Sequence, residues 1–294
     1  MTEDARAEAI HLYDRYTHNG MDRRAFMADL TRIAGGTAAA STLLAAIAAD
    51  PAVAAMVPAN DPRVRTSEVT FTDDPAAGYR AYVAEPASTA EARRSAVMVI
   101  HENRGLNEHV RDVARRAALA GYHAVAPDFL SPSGGTPADQ DAARTAIGKL
   151  DLAGTTAAGV AILRALRARP GGNNRVGAVG FCWGGAMVNR LAVAAGSDLD
   201  AGVVFYGTAP AGAEAARVRA PLLIHLAERD ARVNATALPW IVALRNAGRP
   251  VRAINHRGVE HAFHNDTSAE RYDATAARRA WGETLGFFRR HLSG

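Results

Sequence analysis

Val176-Gly177-Ala178-Val179-Gly180-Phe181-Cys182-Trp183-Gly184-Gly185 reads as a strand, a tight turn and the start of a helix, with a cysteine at the tip of the turn. The pattern Gly-x-Cys-x-Gly is the sulfur version of the Gly-x-Ser-x-Gly nucleophile elbow. A residue wedged between strand and helix is forced into a strained backbone conformation. Side chains two places before and after it would collide, so glycine is required at both. The stretch therefore predicts a thiol at the C-terminal end of a strand and the N-terminal end of a helix, where amides and dipole favour a thiolate and can bind an oxyanion. Cys182 is the only cysteine, which excludes an internal disulfide. A lone cysteine is ordinarily a small buried hydrophobe, but this glycine frame after Val-Gly-Ala-Val points to a nucleophile.

Outward from the elbow, apolar runs and helical spacings alternate. Residues 67–72 and 79–85 alternate polar and apolar around Asp73-Asp74-Pro75 and Gly78, which predicts an antiparallel hairpin at a sheet edge. Residues 95–101 form a continuous apolar run, the mark of a strand buried on both faces. Further strands are predicted at 122–127, 176–180, 201–206, 221–226 and 251–254. Helices are predicted at 110–120, 139–150, 155–168, 184–195, 237–247 and 274–292. Strand alternating with helix means a mainly parallel sheet covered on both sides, an α/β fold.

In such a sheet, reactive groups gather at the C-terminal strand ends. The strand at 95–101 ends on His101-Glu102, the elbow strand on Cys182, the strand at 221–226 runs on to Glu228 and Asp230, and the last strand leads to Glu260-His261. Nucleophile, acid, histidine is the chain order of the α/β-hydrolases. Each gap is long enough for a helix and a strand.

The set His101-Glu102-Asn103-Arg104-Gly105-Leu106, Gly121-Tyr122, Ala126-Pro127-Asp128, Gly180-Phe181-Cys182-Trp183-Gly184-Gly185, Glu228-Arg229-Asp230 and Glu260-His261-Ala262-Phe263 resembles the dienelactone hydrolase family, over about residues 65–292. The resemblance implies an α/β-hydrolase fold, hydrolysis of small-molecule esters or lactones, no cofactor, and a Cys182-His261-Asp230 triad. It also implies that Glu102 partners the cysteine, parking the thiol until substrate arrives. Members acting on the carboxylated dienelactone carry an arginine shortly after the His-x-Phe stretch. Here that stretch reads Phe263-His264-Asn265-Asp266, and Arg144 or Arg104 is left as the candidate grip on a substrate carboxylate.

The expected chemistry is attack of Cys182 on a carbonyl to give a thioester, with His261 moving the proton and Asp230 orienting the imidazole. The amides of Trp183 and of the chain near Asn103 form the expected oxyanion hole. Plainer roles stand beside these. Asp230 can cap a turn, with Glu228 as the acid instead; Glu102 can be a buried ion-pair partner of Arg104; His101 faces away from Glu102 and reads as structural; the Trp183 indole reads as packing. His225, His256 and His264 lack the spacing of a helical zinc pair. Two alternatives stay open: another hydrolase on the same fold, such as a thioesterase or dehalogenase, and a non-catalytic binding module.

The chain has 294 residues, 48% hydrophobic and 22% charged, which suits one large domain with a full core. The net charge of +4 is spread over scattered arginines with few aromatics, which argues against nucleic-acid binding. Residues 1–61 read as an N-terminal extension and 62–294 as the catalytic domain, after the Pro-rich stretch 57–65. Within the extension, Arg23-Arg24-Ala25-Phe26-Met27 precedes an uncharged run ending in an Ala-x-Ala-like site at 52–54. This resembles a twin-arginine export signal, which implies a periplasmic or exported protein. Otherwise the segment is an extension packed on the body or on a second copy in a homodimer, in a cytoplasmic protein. The run is too short and alanine-rich to predict stable membrane insertion.

Overall fold

The computed structural model describes residues 5, 8, 9, 12, 13, 15, 16, 21–47, 56–88, 93–268 and 270–293. Eight strands form one sheet: β1 (Val64–Thr70), β2 (Arg80–Pro86), β3 (Arg94–Ile100), β4 (His123–Pro127), β5 (Gly172–Phe181), β6 (Ala201–Phe205), β7 (Leu222–Ala227) and β8 (Val251–His256). Their spatial order is β1-β2-β4-β3-β5-β6-β7-β8. The expected edge hairpin is β1-β2, and β2 meets β4 antiparallel; all later pairs are parallel.

The sheet faces sort the side chains by strand periodicity. Ala96, Met98 and Ile100 join a core with α5 (Leu152–Arg167), α6 (Trp183–Ala194) and α7 (Ala231–Asn246). Val97 and Val99 join the opposite core, with α3 (Glu108–Leu119) and α8 (Ala274–Leu292). The short α4 (Gln140–Gly148) lies beyond β4 and rests Ala143 and Ile147 against Leu130. Helix α7 begins six residues ahead of its sequence expectation. Asp230 caps it by accepting the Val233 N–H, and Pro239 is accommodated inside it.

Two more helices lie in the N-terminal extension, α1 (Arg23–Ala34) and α2 (Thr37–Ile47). They fold on a small core of their own, where Tyr16 stacks on Phe26 at 4.4 Å beside Leu12 and Leu30. The cleavage site expected at 52–54 lies outside the described residues. No single helix among the described residues is long and apolar enough to cross a membrane.

The parallel register brings the strand ends level. Ile100 pairs with Gly180, Gly180 with Val204, and Phe205 with His225. The turn at Cys182 fits only because the chain is stripped to backbone on either side. A Cβ on Gly180 would lie 2.1 Å from the Gly184 carbonyl oxygen, and one on Gly184 would lie 2.3 Å from the Ile100 carbonyl oxygen. Both contacts are with backbone and no rotamer change relieves them. Gly180→Ala and Gly184→Ala are each expected to destabilise the fold by about 3 kcal/mol or more. Urea titration checks this, and an unchanged midpoint would contradict the packing.

Candidate active site

Cys182 sits between β5 and α6 with φ 53° and ψ −112°. Its backbone N–H donates to the Phe205 carbonyl oxygen at 3.0 Å, which ties the turn to the end of β6. Three of the four non-glycine residues with positive φ, Cys182, Tyr206 and Ala262, follow strand ends at this one place. Strain of that kind persists only where the surroundings impose it, and it gathers at functional sites. The sulfur faces a cavity of about 300 Å³ whose wall includes Asn103, Arg144, Trp183, Tyr206 and Arg232.

His261 follows β8 on a loop and is 1% exposed. Its Nδ1–H donates to Asp230 Oδ2 at 2.5 Å, and Cys182 lies near enough to act on the ring electrostatically. Asp230 therefore combines two roles that the sequence offers as alternatives, since Oδ1 caps α7 while Oδ2 takes the imidazole. Glu228, the rival acid, instead accepts the Gly258 N–H at 2.8 Å and pins the turn after β8. Burial works against a charged imidazole at position 261. The negative charges of Asp230 and then of Cys182 outweigh it and hold His261 well above its ordinary value. Burial likewise works against the Asp230 carboxylate, and the facing His261 brings it below its ordinary value. The arrangement sets an imidazole between a carboxylate and a cysteine side chain.

The partners of Glu102 and Arg104 correct one expectation, the ion pair between them. Glu102 Oε2 accepts from Asn265 Nδ2 at 2.9 Å, and Oε1 accepts from the Tyr206 hydroxyl at 3.4 Å. Its donors thus include an amide and a phenol that the resemblance does not name. Among the described residues Arg104 forms no ion pair with Glu102, and it lies over the Tyr13 ring at 5.6 Å. Burial first, then the charge of Arg271, depress Arg104 to about 10. Arg104 thus belongs to an arginine group with Arg271, also over Tyr13, and Arg144, over Tyr16 at 4.4 Å. A guanidinium stacks on an aromatic face without surrendering its N–H donors, which lets such groups crowd together.

His101 is structural. Phe129 N–H donates to its Nε2 at 3.2 Å, so Nδ1 carries the hydrogen and donates to the Glu102 carbonyl at 2.7 Å. The Trp183 indole stacks on it at 5.2 Å. The sequence carries no signal for Arg271, and marks Asn265 only as part of the stretch where the family's arginine is missing.

The arm packs on this side of the body. Arg23 pairs with Asp141 on α4, and Arg144 donates to the Tyr16 carbonyl oxygen at 3.2 Å.

Against known proteins, the model of the dienelactone hydrolase family matches residues 79–292. An Azospirillum brasilense protein, named a carboxymethylenebutenolidase by inference only, is 34% identical over 231 residues, which is 73% of this chain and 94% of that protein. A Klebsiella pneumoniae subsp. pneumoniae structure, named a dienelactone hydrolase by inference only, has a TM-score of 0.69 at 26% identity, covering 77% of this chain and 99% of that one. A dienelactone hydrolase-like promiscuous phosphotriesterase from metagenomic libraries is also similar, with a TM-score of 0.69, 25% identity and coverage of 79% and 100%.

Beneath the site lies a layer of neutral histidines. His225 Nδ1 and His256 Nε2 share one hydrogen at 3.0 Å, and His264 lies 5.0 Å from both Phe181 and Phe205. Among the described residues no group of three or more His, Cys, Asp or Glu is placed to hold a metal ion. Burial pushes His225 and His264 well below their ordinary value and takes His256 down to about 4. A histidine depressed in the folded state takes its proton more readily when unfolded. The stability it contributes is intact above about pH 6.5 and drains away as pH falls toward about 4. Between pH 7.5 and pH 5 the unfolding free energy should drop by about 1–2 kcal/mol for each such group. Urea titration at the two pH values checks this, and His256→Gln, which keeps a hydrogen-bond partner but does not charge, should flatten part of the drop.

Proposed function

The chain belongs to the dienelactone hydrolase family and is a hydrolase of carboxylic esters or lactones, and we propose that it works through a Cys182 thiolate and a thioester intermediate. The observation that carries this reading is the Asp230–His261 hydrogen bond with Cys182 beside the imidazole and on the cavity wall.

The thiolate attacks the carbonyl carbon, and negative charge moves onto the carbonyl oxygen. The backbone amides of Trp183, the first residue of α6, and of Asn103 on the cavity wall receive it; one such donor is worth about 3 kcal/mol of barrier. The tetrahedral intermediate collapses to a thioester as His261 gives its proton to the departing alkoxide. Water then transfers a proton to His261 and attacks the thioester, releasing the acid and restoring the ion pair. Asp230 stays ionised and balances the imidazolium. The cavity joins an apolar wall of Ile147, Leu150 and Leu152 to the cations Arg144 and Arg232, which suits a small substrate with one apolar and one polar or anionic end.

The arm is read here as a retained part of the enzyme, because Arg23 of the twin-arginine pair is engaged by Asp141 and the Tyr16 carbonyl by Arg144. Mass spectrometry of the mature protein from its host is expected to find Met1 or Thr2 at the N-terminus; a start just after Ala54 would instead establish export with processing.

Cys182→Ala is expected to lower turnover of p-nitrophenyl acetate by about 10³-fold or more, and Asp230→Asn by about 10²–10⁴-fold with little change in KM. Steady-state kinetics read both, and mass spectrometry of the quenched native protein should find the acetyl group on Cys182. Full turnover in Cys182→Ala would remove the thiol from the mechanism.

A further inference from the structure

We infer that Tyr16 of the N-terminal arm is a positioning residue for the substrate site: its ring and its carbonyl hold the Arg144 guanidinium on the cavity wall, charged and in place, to receive an anionic end of the substrate. The inference rests on the reading of this cavity as the ester or lactone site. It goes further in giving the arm, which lies outside the matched residues 79–292, a part in substrate selection.

Arg144 stands on α4, and Asp141 lies one turn before it on the same helix. Its Nε is 3.7 Å from Asp141 Oδ1. An acid and a base three residues apart on a helix are natural partners. A full pair between them would draw Arg144 back along α4 and cancel its charge. The arm competes for the acid. Arg23, the first residue of α1, pairs with Asp141 Oδ2 and takes no part in the cavity wall. The carboxylate is thus balanced by a cation that does not meet substrate.

What Arg144 receives from the arm in exchange carries no net charge. The Tyr16 ring lies under its guanidinium, 4.4 Å from ring centroid to carbon, and the Tyr16 carbonyl accepts from Nη1 at 3.2 Å. A guanidinium over an aromatic face is held by the ring while its charge and its in-plane donors are kept. The hold has work to do, because like charges crowd here. Arg104 is pushed down by Arg271 and by Arg144 itself. An untethered Arg144 would relieve that repulsion by swinging out to water, since its side chain is long and flexible.

Tyr16 is a firm support. It is 3% exposed, and its ring stacks on Phe26 at 4.4 Å in the arm's own core. A path of packed groups therefore runs from that core through Tyr16 to Arg144, which shares the cavity wall with Asn103 and Cys182.

The test compares two esters on the full chain, p-nitrophenyl hexanoate and mono-p-nitrophenyl adipate, which differ by a terminal methyl against a carboxylate. Tyr16→Leu keeps an apolar side chain in the arm's core but has no aromatic face. It is expected to lower the adipate-to-hexanoate ratio of kcat/KM about tenfold, with the loss falling on KM for the adipate. Tyr16→Phe restores the face and should bring the ratio back to within about twofold of the native one. Arg144→Gln lowers the ratio at least as far, and adding Tyr16→Leu to it should cost nothing more, because the ring then has no cation to hold. Arg23→Ala changes an exposed side chain and frees Asp141 for Arg144. It should move the ratio the same way by about threefold, and it covers the case in which Tyr16→Leu does not fold. Equal losses on the two esters, a Phe variant as impaired as the Leu variant, additive losses in the double variant, or an unchanged ratio in the arm variants that fold would overturn the inference. Turnover of the hexanoate by Cys182→Ala reports separately on the nucleophile. If that variant stays active the proposed function fails, while the ratio still reads the hold of the arm on Arg144.

Discussion

The strained turn at Cys182 is the constraint on which the rest of the site depends. A cysteine at φ 53° is held there only if neighbouring backbones lock both ends of the turn. Glycine at 180 and 184 lets those backbones close in, and the Cys182 N–H completes the lock on the last residue of β6. The sheet register does the rest. With Ile100, Gly180 and Val204 level, the residues just beyond them emerge together, and Glu102, Cys182 and Tyr206 meet without any loop having to reach. A hydrophobic core that fixes strand register thereby fixes catalytic geometry, since one residue of slip would turn each side chain to the opposite face.

The charges form one coupled system. An isolated buried imidazolium at 261 would be costly, as would an isolated carboxylate at 230 or a thiolate at 182. Facing each other, His261 and Asp230 each offset the desolvation of the other. The same logic explains why Asp230 is also the cap of α7. The Val233 N–H adds a donor that favours the ionised carboxylate, so the helix holds the acid in place and in charge. The histidines below show the opposite solution. Burial and neighbouring arginines outweigh the carboxylates of Glu283 and Asp273, so His225 and His256 stay neutral and share a hydrogen.

The fold and the main line of the site were legible because their signals are local. Gly-Phe-Cys-Trp-Gly-Gly is a statement about one turn, and buried apolar runs announce parallel strands over a handful of residues. Asp230 and His261 were found from chain order and strand ends alone. What was not legible depends on pairing at long range. Nothing in the Phe263-His264-Asn265-Asp266 stretch says that Asn265 meets a carboxylate contributed by the end of β3, because that contact needs the loop after β8 folded back across the sheet. The early start of α7 was missed because Asp230 was read for its chemistry and its capping role set aside. Arg104 and Glu102 were paired on the strength of adjacency in sequence, yet their side chains leave the chain in different directions.

The arm gives the arginine group its meaning. Burial first, then the charge of Arg271, loosen the hold of Arg104 on its proton, while Asp141, which is also paired with Arg23, acts the other way. The arm supplies a different kind of partner, since the faces of Tyr13 and Tyr16 lie under all three guanidinium groups while Tyr16 offers its carbonyl to Arg144. Aromatic faces satisfy a cation without neutralising it. The positive charge is therefore kept at the rim of the site, where Arg144 also forms part of the cavity wall. Had acids filled the same positions, the guanidinium groups would be equally well packed but silent toward an incoming anion. The arm thus preserves a positive field that the body alone would expose to water and lose to screening.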